Sequence, residues 1–283
     1  MLGHIGLEVL TGVCISAILI ISVLLIMLKP CVRRKEFLAP YKNTLIAHRG
    51  LFDNESAAPE NSAAAFQRAV EAGFGIELDV QRTKDGKLVI FHDANMKRMT
   101  GQDWILTEHT YQEIEEFSLG ISNERIPLFE DILALVSGKV PLVIEIKVGM
   151  KFLETTRAVA DALKDYGGVY CMECFNPLAL MWYRKNVPSV IRGQLSMDFR
   201  KDPCKIPGWV KFMLTHLLLN FLAKPDFISY HYLDRKKKGF CLCKKLFGVT
   251  TAAWTIKSEQ ELMSAKKSFD FFIFDSFFPK QTD

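Results

Sequence analysis

The first pattern along the chain is an almost uninterrupted apolar segment, residues 9–28, with the sequence VLTGVCISAILIISVLLIML. Twenty helical residues at about 1.5 Å each span roughly 30 Å, the thickness of a bilayer's hydrocarbon core. A cleaved signal peptide is the alternative, but Lys29, Arg33, Arg34 and Lys35 follow the segment where a small-residue cleavage site would stand. We therefore predict a retained, single-pass anchor in the cell membrane. The basic flank places the remaining chain on the cytoplasmic side.

Beyond about residue 40, short β-branched runs alternate with amphipathic stretches of helical period. The predicted strands are residues 44–48, 75–80, 142–146, 169–175, 192–196, 226–230, 251–255 and 271–275. Eight strand–helix repeats predict an α/β fold, a closed (β/α)8 TIM barrel with its helices outside. A doubly wound open sheet is the alternative, but the glycine patterns of phosphate and dinucleotide loops are absent from the sequence. Residues 1–40 form the predicted anchor and its flank, and residues 41–283 the barrel domain.

One apolar run, residues 88–93, follows the second predicted strand too closely for a parallel crossover. The Asp85-Gly86 dipeptide between them is typical of a two-residue hairpin turn. A turn centred there would place His92 opposite Asp79, on one face of the hairpin. Residues from about 94 to 125 then form an insertion after the second strand, which we expect to cap one side of the barrel mouth.

Composition narrows the class of protein. The formal net charge is +4 and the basic residues are scattered, so the chain lacks the basic stripe of a nucleic-acid-binding protein. The seven cysteines have no metal-finger spacing, and an odd count in a chain of this kind favours unpaired thiols in a reducing compartment. No nucleic-acid partner is expected.

Polar side chains cluster at the ends of predicted strands, where the active sites of such barrels lie. They are His48, Arg49, Glu77, Asp79, His92, Glu145 and Lys147. Glu77 and Asp79 are two residues apart and share a strand face, and Glu145 interrupts an apolar strand. Buried carboxylates need a neutralising cation. Three oxygen ligands without cysteine indicate one divalent cation, Ca²⁺ or Mg²⁺, rather than zinc.

These residue types are the ones that phosphodiester cleavage requires. The cation, Arg49 and Lys147 can neutralise the non-bridging phosphate oxygens. His48 and His92 can deprotonate the nucleophile and protonate the departing alkoxide. Each residue alone has an ordinary structural explanation, such as a turn cap or a surface ion pair. Their joint placement at one predicted mouth favours an active site.

The stretch IAHRGLFDNESAAPENSAAAFQRAVEAGFGIELDVQRTKDGKLVIFHD resembles the signature of the glycerophosphodiester phosphodiesterases, in a bacterial, membrane-anchored form. Its parts are HRG, PEN, the acidic pair of ELDV, TKDG and HD. IPLFEDIL, VIEIK, CFNPLALMWYRKNVP, RGQLS, TTAAWTIKSEQEL and FDFFIFD continue the resemblance over roughly residues 44–280. It implies a (β/α)8 barrel that hydrolyses glycerophosphodiesters to glycerol 3-phosphate and an alcohol.

The resemblance also implies roles for individual residues. His48 matches the family's general base and His92 its general acid. The other matched positions are the cation ligands Glu77, Asp79 and Glu145, the phosphate-contacting Arg49 and Lys147, the supporting Glu60 and Asn61, and the pocket residues Phe175 and Trp254. Cys174 stands where the family usually has serine, and the last strand ends in the run Phe274-Asp275-Ser276 where the family usually has Thr-Asp. Neither departure is expected to touch the cation or the histidines, so they affect the expected substrate detail rather than activity.

A second apolar segment, from Trp209 to Leu222 (residues 209–222), reads as one helix with a narrow polar stripe. It is too short to span a bilayer. Either it packs on the cap, or it enters the membrane interface with Lys224 and residues 235–238 toward lipid headgroups. The second alternative would favour lysophospholipids among the substrates.

Two other functions remain open at this point. A lysophospholipase D, or a phospholipase that forms a cyclic phosphate, would use the same histidines and carboxylates, and its products would identify it. A non-catalytic membrane sensor could keep the barrel for binding alone. The presence of both histidines and all three carboxylates favours an enzyme.

Overall fold

The computed structural model describes residues 2–147, 149 and 151–280. Residue 1 of the predicted anchor and residues 148, 150 and 281–283 of the predicted barrel domain lie outside the described residues. The strands are β1 Leu45–Ala47, β2 Gly75–Arg82, β3 Leu88–Ile90, β4 Leu142–Ile146, β5 Tyr170–Cys174, β6 Ile191–Ser196, β7 Phe227–His231, β8 Thr250–Ile256 and β9 Phe271–Phe274. The α-helices are α1 Leu2–Leu28, α2 Ala63–Glu71, α3 Lys97–Thr100, α4 Tyr111–Ile114, α5 Phe129–Val136, α6 Phe152–Ala162, α7 Pro177–Asn186, α8 Gly208–Thr215, α9 Asn220–Ala223, α10 Lys238–Phe247 and α11 Glu259–Ala265.

All strands except β3 run parallel and close into a barrel. Their order around it is β1, β9, β8, β7, β6, β5, β4 and β2, and pairing of β1 with β2 completes the ring. Most strand residues are buried, because both faces of a parallel barrel are covered. The predicted (β/α)8 barrel is confirmed, and each of the eight predicted strands corresponds to one of these strands.

The barrel interior is apolar at its base and polar toward its mouth. The apolar base is a cluster of alternate strand residues, among them Ile46, Val143, Phe227 and Phe271. The Phe227 ring lies directly against Gly193, where an added Cβ would sit 2.1 Å from the ring. Because this base is filled by side chains, the interior is accessible from the mouth, where the strands end in carboxylates.

The predicted hairpin is present, but its register differs from the prediction. β3 is antiparallel to β2 and lies outside the parallel ring. The Phe91 amide donates to the Asp79 carbonyl at 2.9 Å, so Phe91, not His92, lies opposite Asp79. The predicted pairing of Asp79 with His92 is therefore wrong by one residue.

The turn explains this shift. The Thr83 amide donates to the Lys87 carbonyl at 2.9 Å, which closes a loop of three residues instead of two. Gly86 ends the loop with a φ of +94°, the left-handed conformation of a three-residue hairpin with a bulge. Each cross-strand pair therefore moves by one position.

The insertion after β2 has a small apolar core of its own. Residues 94–125 contain α3 and α4 with irregular connections. Their buried side chains form one cluster with Val89 of β3 and with the residues that flank the insertion: Val89, Phe91, Met96, Met99, Leu106, Ile114, Leu119 and Ile126. The Glu124 carboxylate accepts from the Ala64 amide at 3.1 Å, which attaches the insertion to the start of α2.

The segment 209–222 is not the single helix that its sequence predicted. It forms α8 and the short α9, with Leu217 between them in the left-handed region at φ +59°. The Tyr230 hydroxyl of β7 donates to the Thr215 carbonyl at 2.7 Å. The left-handed backbone of Leu217 interrupts the regular helix, and its side chain turns inward to a buried position. Tertiary contacts with the barrel thus end the helix early.

Among the described residues, one helix, α1, is long and apolar enough to cross a membrane. A signal sequence near an N-terminus passes the same test of length and composition. The end of α1 is held on the barrel, because the Asn220 side-chain amide donates to the Leu28 carbonyl at 2.8 Å. The Cys31 amide likewise donates to the Pro225 carbonyl at 2.8 Å.

Candidate active site

A tight loop after β1 directs two functional side chains to the mouth. Arg49 and Gly50 both have left-handed backbones, with φ of +57° and +83°. An added Cβ at Gly50 would lie 2.9 Å from the Ala65 backbone, so the loop approaches α2 too closely for any side chain there. This turn places His48 and Arg49 at the end of the barrel where the other predicted residues lie.

His48 is held from both sides of its ring. Its Nδ1 lies 2.8 Å from the Asp275 carboxylate, just past the end of β9, and its Nε2 lies 3.9 Å from the Glu77 carboxylate. Burial lowers the pKa of His48, and the bond to Asp275 opposes that shift. A neutral imidazole that donates from Nδ1 to Asp275 leaves Nε2 free to accept a proton.

Glu77, Asp79 and Glu145 form a buried carboxylate trio, in which one oxygen of each lies within 4.8 Å of the others. The register explains the grouping, because β2 and β4 pair Asp79 directly with Glu145. Burial raises the pKa of Glu77 well above its usual range and that of Glu145 to about 7, and the neighbouring carboxylates add to both shifts. Burial opposes ionisation of Asp79 too, but Lys147, His92 and Arg49 outweigh it and lower its pKa.

Two cationic side chains lie beside the trio, Lys147 and Arg49, and Arg49 Nε lies 3.4 Å from Asp79 Oδ2. Lys147 Nζ lies 2.9 Å from Glu145 Oε1 and 3.2 Å from Asp79 Oδ1. Neither oxygen makes a hydrogen bond of acceptable geometry within the part of the chain that the structure describes. Lys147 and Arg49 together carry fewer positive charges than the trio has carboxylates, and Arg49 is shared with Glu60. Three buried carboxylates are costly unless further positive charge balances them. A donor set made only of carboxylates is compatible with a hard divalent cation.

Glu60 and Asn61 support the site from the loop before α2. Arg49 donates to Glu60 at 2.7 Å, and Arg98 of the insertion donates to both oxygens of Glu60 at 2.7 and 2.8 Å. Burial disfavours ionised Glu60, but the two arginines outweigh it and lower the pKa of Glu60 to about 2. The Asn61 side-chain amide donates to Asp79 Oδ2 at 2.8 Å. These bonds fix the guanidinium of Arg49 and the orientation of Asp79.

His92 follows β3 and has its own carboxylate partner. Its Nδ1 lies 2.7 Å from Asp93, whose other oxygen accepts from Arg98 Nε at 2.7 Å. Burial lowers the pKa of His92, and the negative charge of Asp79 opposes the shift. Both histidines therefore carry an aspartate on Nδ1, and the nitrogen on the far side of each ring is Nε2.

The predicted residues converge on one cavity of about 600 Å³. It is lined, among the predicted set, by His48, Arg49, Glu60, Glu77, His92, Glu145, Phe175 and Trp254. Phe175 and Trp254 meet edge to face, with ring centroids 5.6 Å apart. Asp79 and Asn61 are buried beside the cavity, bonded to each other, and Lys147 lines an adjoining cleft. The structure thus brings the whole predicted set to one mouth.

Sequence reasoning gave no role to several residues of the site. Its expectation that the departure at Asp275 does not touch the histidines is wrong, because the Asp275 carboxylate lies 2.8 Å from His48 Nδ1. Asp275 and Asp93 orient the histidines, and Arg98 joins Asp93 to the Glu60 network. Glu173 of β5 pairs with Glu145 and lines the cavity, and burial raises the pKa of Glu173 to about 8. A signal was available for Glu173, since it interrupts an apolar strand as Glu145 does.

An apolar cleft of about 610 Å³ adjoins this cavity. The two share Glu145, Phe175, Met197 and Asp202. The apolar side chains that line the cleft come from the start of α7, the β6–α8 connection, α8 and the turn after it, and α9: Phe175, Pro177, Leu178, Met197, Phe199, Ile206, Val210, Leu214, Leu219 and Leu222. An extended apolar group attached to a molecule at the carboxylates would therefore find a place without leaving the mouth.

Comparisons with known proteins agree with this chemistry. Residues 48–198 match the model of the glycerophosphoryl diester phosphodiesterase family. A glycerophosphodiester phosphodiesterase of Caldanaerobacter subterraneus subsp. tengcongensis is 38% identical over 165 residues, which are 54% of this chain and 67% of that protein. A human lysophospholipase D is 31% identical over 147 residues, which are 47% of this chain and 44% of that protein.

Solved structures share the fold. A phosphodiesterase of Oleispira antarctica, determined in complex with the product sn-glycerol-3-phosphate, superposes with a TM-score of 0.67 at 24% identity. The alignment covers 83% of this chain and 93% of that one. At this identity the likeness shows a common barrel architecture.

Proposed function

We propose a metal-dependent, two-histidine mechanism for this chain, which belongs to the glycerophosphoryl diester phosphodiesterase family and is a phosphoric diester hydrolase. Its proposed products are glycerol 3-phosphate and an alcohol. The observation that carries the mechanism is the common cavity of His48, His92, Glu77 and Glu145, with an aspartate on Nδ1 of each histidine.

Glu77, Asp79 and Glu145 would hold one divalent cation, Ca²⁺ or Mg²⁺. Bound there, the cation supplies positive charge to the non-bridging phosphate oxygens. The three buried carboxylates, which outnumber the cationic side chains beside them, and the all-oxygen donor set support this assignment. Asn61 keeps Asp79 oriented through the bond to its second oxygen.

The histidines move the protons. His48, with Nδ1 bonded to Asp275, accepts a proton at Nε2 from the attacking water. A bond from the nucleophile's oxygen to phosphorus forms, and the phosphorus bond to the alcohol oxygen breaks. His92, held by Asp93 and protonated before the step, gives its proton to the departing oxygen. The lowered pKa of His48 favours the neutral imidazole that a general base needs. Burial also lowers the pKa of His92, but the negative charge of Asp79 and the bond to Asp93 favour its protonated form.

Arg49 and Lys147 position and neutralise the phosphate. The Arg49 guanidinium is held by Glu60 and faces the cavity. A planar guanidinium can give two parallel hydrogen bonds to a phosphate. Lys147 Nζ adds a second positive charge beside Glu145. Phe175 and Trp254 form an aromatic wall for the glycerol or alcohol part of the substrate.

The decisive experiment is hydrolysis of glycerophosphocholine by the full chain in detergent micelles. We expect glycerol 3-phosphate and choline as products, loss of activity with a chelator, and recovery with Mg²⁺ or Ca²⁺. His48→Ala and His92→Ala should each lower kcat by about 10²-fold or more. Activity that survives chelation, or full activity of either variant, would overturn the mechanism.

A second candidate function is lysophospholipase D activity. The apolar cleft beside Glu145 and Lys147 favours it, because an acyl chain on the glycerol could lie there while the phosphate stays at the carboxylates. The resemblance to a human lysophospholipase D agrees with this. A comparison of lysophosphatidylcholine with glycerophosphocholine tests it. If the length of the acyl chain has no effect on kcat/KM, the cleft does not bind the acyl chain of the substrate.

We further propose that residues 1–40 anchor the chain as a single-pass segment and that residues 41–283 form a cytoplasmic barrel domain. The length and hydropathy of α1 and the basic residues after it support this arrangement. Protease protection in sealed membrane vesicles tests it. We expect a protease on the cytoplasmic side to cleave the barrel domain. α1 should remain uncleaved and at its original length.

A further inference from the structure

A second apolar groove, of about 780 Å³, lies between α1 and the barrel, away from the carboxylates. One wall is the last two turns of α1, where Ile21, Leu24, Leu25 and Leu28 follow helical spacing on one face. The opposite walls are formed by the apolar side chains of α8, the turn after it, and α10: Phe212, Leu218, Leu242 and Leu246. Phe212 and Leu246 are 54% and 55% exposed, so no side chain among the described residues covers this surface on its open side.

The position of the groove is fixed by polar contacts at the end of α1. Asn220 donates to the Leu28 carbonyl, and Lys224 Nζ donates to the Lys29 carbonyl at 3.0 Å. Arg34 forms an ion pair with the buried Asp226 at 3.5 Å. These contacts join α1 to the barrel next to the groove. When α1 crosses a bilayer, the groove therefore opens at the level where the helix leaves the lipid.

The rim of the groove is basic. Arg200, Lys236, Lys237 and Lys238 line it together with the apolar side chains. Arg200 and Lys237 are already paired with Asp198. Lys236 and Lys238 are exposed and form no ion pair in the described part of the chain. Two uncompensated ammonium groups beside an open apolar groove match a ligand with an acidic head and an apolar tail.

We propose that this groove binds an anionic phospholipid of the bilayer that holds α1, with its acyl chain against Leu24 and Leu242 and its phosphate at Lys236 and Lys238. The groove is continuous with the lipid-facing surface of α1, and this continuity favours a lipid over a soluble partner. Charge complementarity at the rim selects an anionic head over a zwitterionic one. The proposal does not depend on the catalytic mechanism, because none of the proposed catalytic residues lines the groove.

Native mass spectrometry of the full chain released from detergent micelles tests the proposal. The micelles contain phosphatidylglycerol and phosphatidylcholine of the same acyl chains at equal amounts. We expect one phosphatidylglycerol retained per chain, with at least fivefold preference over phosphatidylcholine. A Lys236→Gln, Lys238→Gln double variant should lose the preference. A Lys266→Gln, Lys267→Gln double variant removes the same charge from an exposed pair outside the groove. This control should keep the preference for phosphatidylglycerol.

Two more variants separate the contributions. Leu242→Gln should lower retention of both lipids, because it places an amide on the apolar wall. A His48→Ala chain should retain phosphatidylglycerol fully, which distinguishes lipid binding from catalysis. Hydrolysis of glycerophosphocholine by the lysine variants at the wild-type rate verifies that they are folded. Equal retention of the two lipids, unchanged retention in the Lys236 and Lys238 variant, or a chain dimer in place of bound lipid would overturn the proposal.

Discussion

His48 Nδ1 and Asp275 Oδ2 lie 2.8 Å apart, although 227 residues separate them in the chain. The barrel closure creates this contact, because β1 pairs with β9 and the residues that follow these strands become neighbours. A carboxylate on Nδ1 fixes the tautomer and the orientation of the ring. Asp275 is thus a positioning residue for the proposed general base.

Asp275→Asn tests that role. We expect kcat to fall about 10- to 100-fold with little change in KM, since a partner that orients a functional histidine contributes on this scale. The pH profile of kcat should shift as well, because the variant removes the charge that supports protonated His48. Ser276→Ala removes only the hydroxyl that donates to Asp275 at 2.7 Å and is the control. An equal loss in both variants would indicate a general disturbance of the loop.

The hydrogen bonds from Arg49 and Arg98 to Glu60 predict that the stability of the folded protein depends on pH. The pKa of Glu60 falls from 4.5 to about 2 on folding, so its ionised form stabilises the native state. At about 1.4 kcal/mol per pKa unit, the contribution is on the order of 3 kcal/mol. It is fully present above pH 4.5 and is lost as the pH falls toward 2.

Glu60→Gln should therefore lower the free energy of unfolding at pH 7, and its difference from the wild type should shrink below pH 4.5. Urea unfolding in detergent micelles, followed by tryptophan fluorescence, measures both. Glu55→Gln changes an exposed acid in the same loop and should have almost no effect. A difference that is constant with pH would contradict the linkage.

Glu145→Gln should weaken binding of Mg²⁺ or Ca²⁺ about 10- to 100-fold, because it removes one charged ligand of the trio. Isothermal titration of the full chain in micelles measures the affinity. Glu173→Gln is the matched control, since Glu173 pairs with Glu145 in the next strand but lies outside the trio. Equal losses of cation affinity in the two variants would contradict the assignment of Glu145, and not Glu173, as a ligand.

Gly193→Ala should destabilise the barrel by about 1–3 kcal/mol, because its Cβ would meet the Phe227 ring at 2.1 Å. Phe227→Leu in the same chain should recover part of the loss by making room. A thermal unfolding series of the single and double variants measures this coupling. If the losses of stability in the two single variants simply add in the double variant, the Phe227 ring does not restrict the space at position 193.

Leu214→Gln tests the apolar cleft. The amide would face a proposed acyl chain, so kcat/KM for lysophosphatidylcholine should fall at least tenfold while that for glycerophosphocholine stays within about twofold. Leu233→Gln, at an exposed position outside the cleft, is the control. An equal fall for both substrates would point to a folding defect and contradict a role in acyl recognition.

The sequence by itself determined the architecture and most of the proposed chemistry. Apolar runs of strand length that alternate with amphipathic stretches specify a parallel barrel, because each run must be buried on both faces. The two-residue period places Glu77 and Asp79 on one face of β2, and position at the strand ends brings His48 and Glu145 to the same mouth. These features depend on local periodicity, which a sequence displays directly.

Tertiary structure alone decided what depends on closure and on distant contacts. The three-residue turn set Phe91 rather than His92 opposite Asp79, because one extra loop residue shifts every pair. Leu217 turns inward at a left-handed position and interrupts the helix, although the apolar pattern of residues 209–222 continues past it. Asp275 became the partner of His48 because the first and last strands of the barrel meet. Side chains far apart in the sequence interact here through backbone geometry that no local pattern encodes.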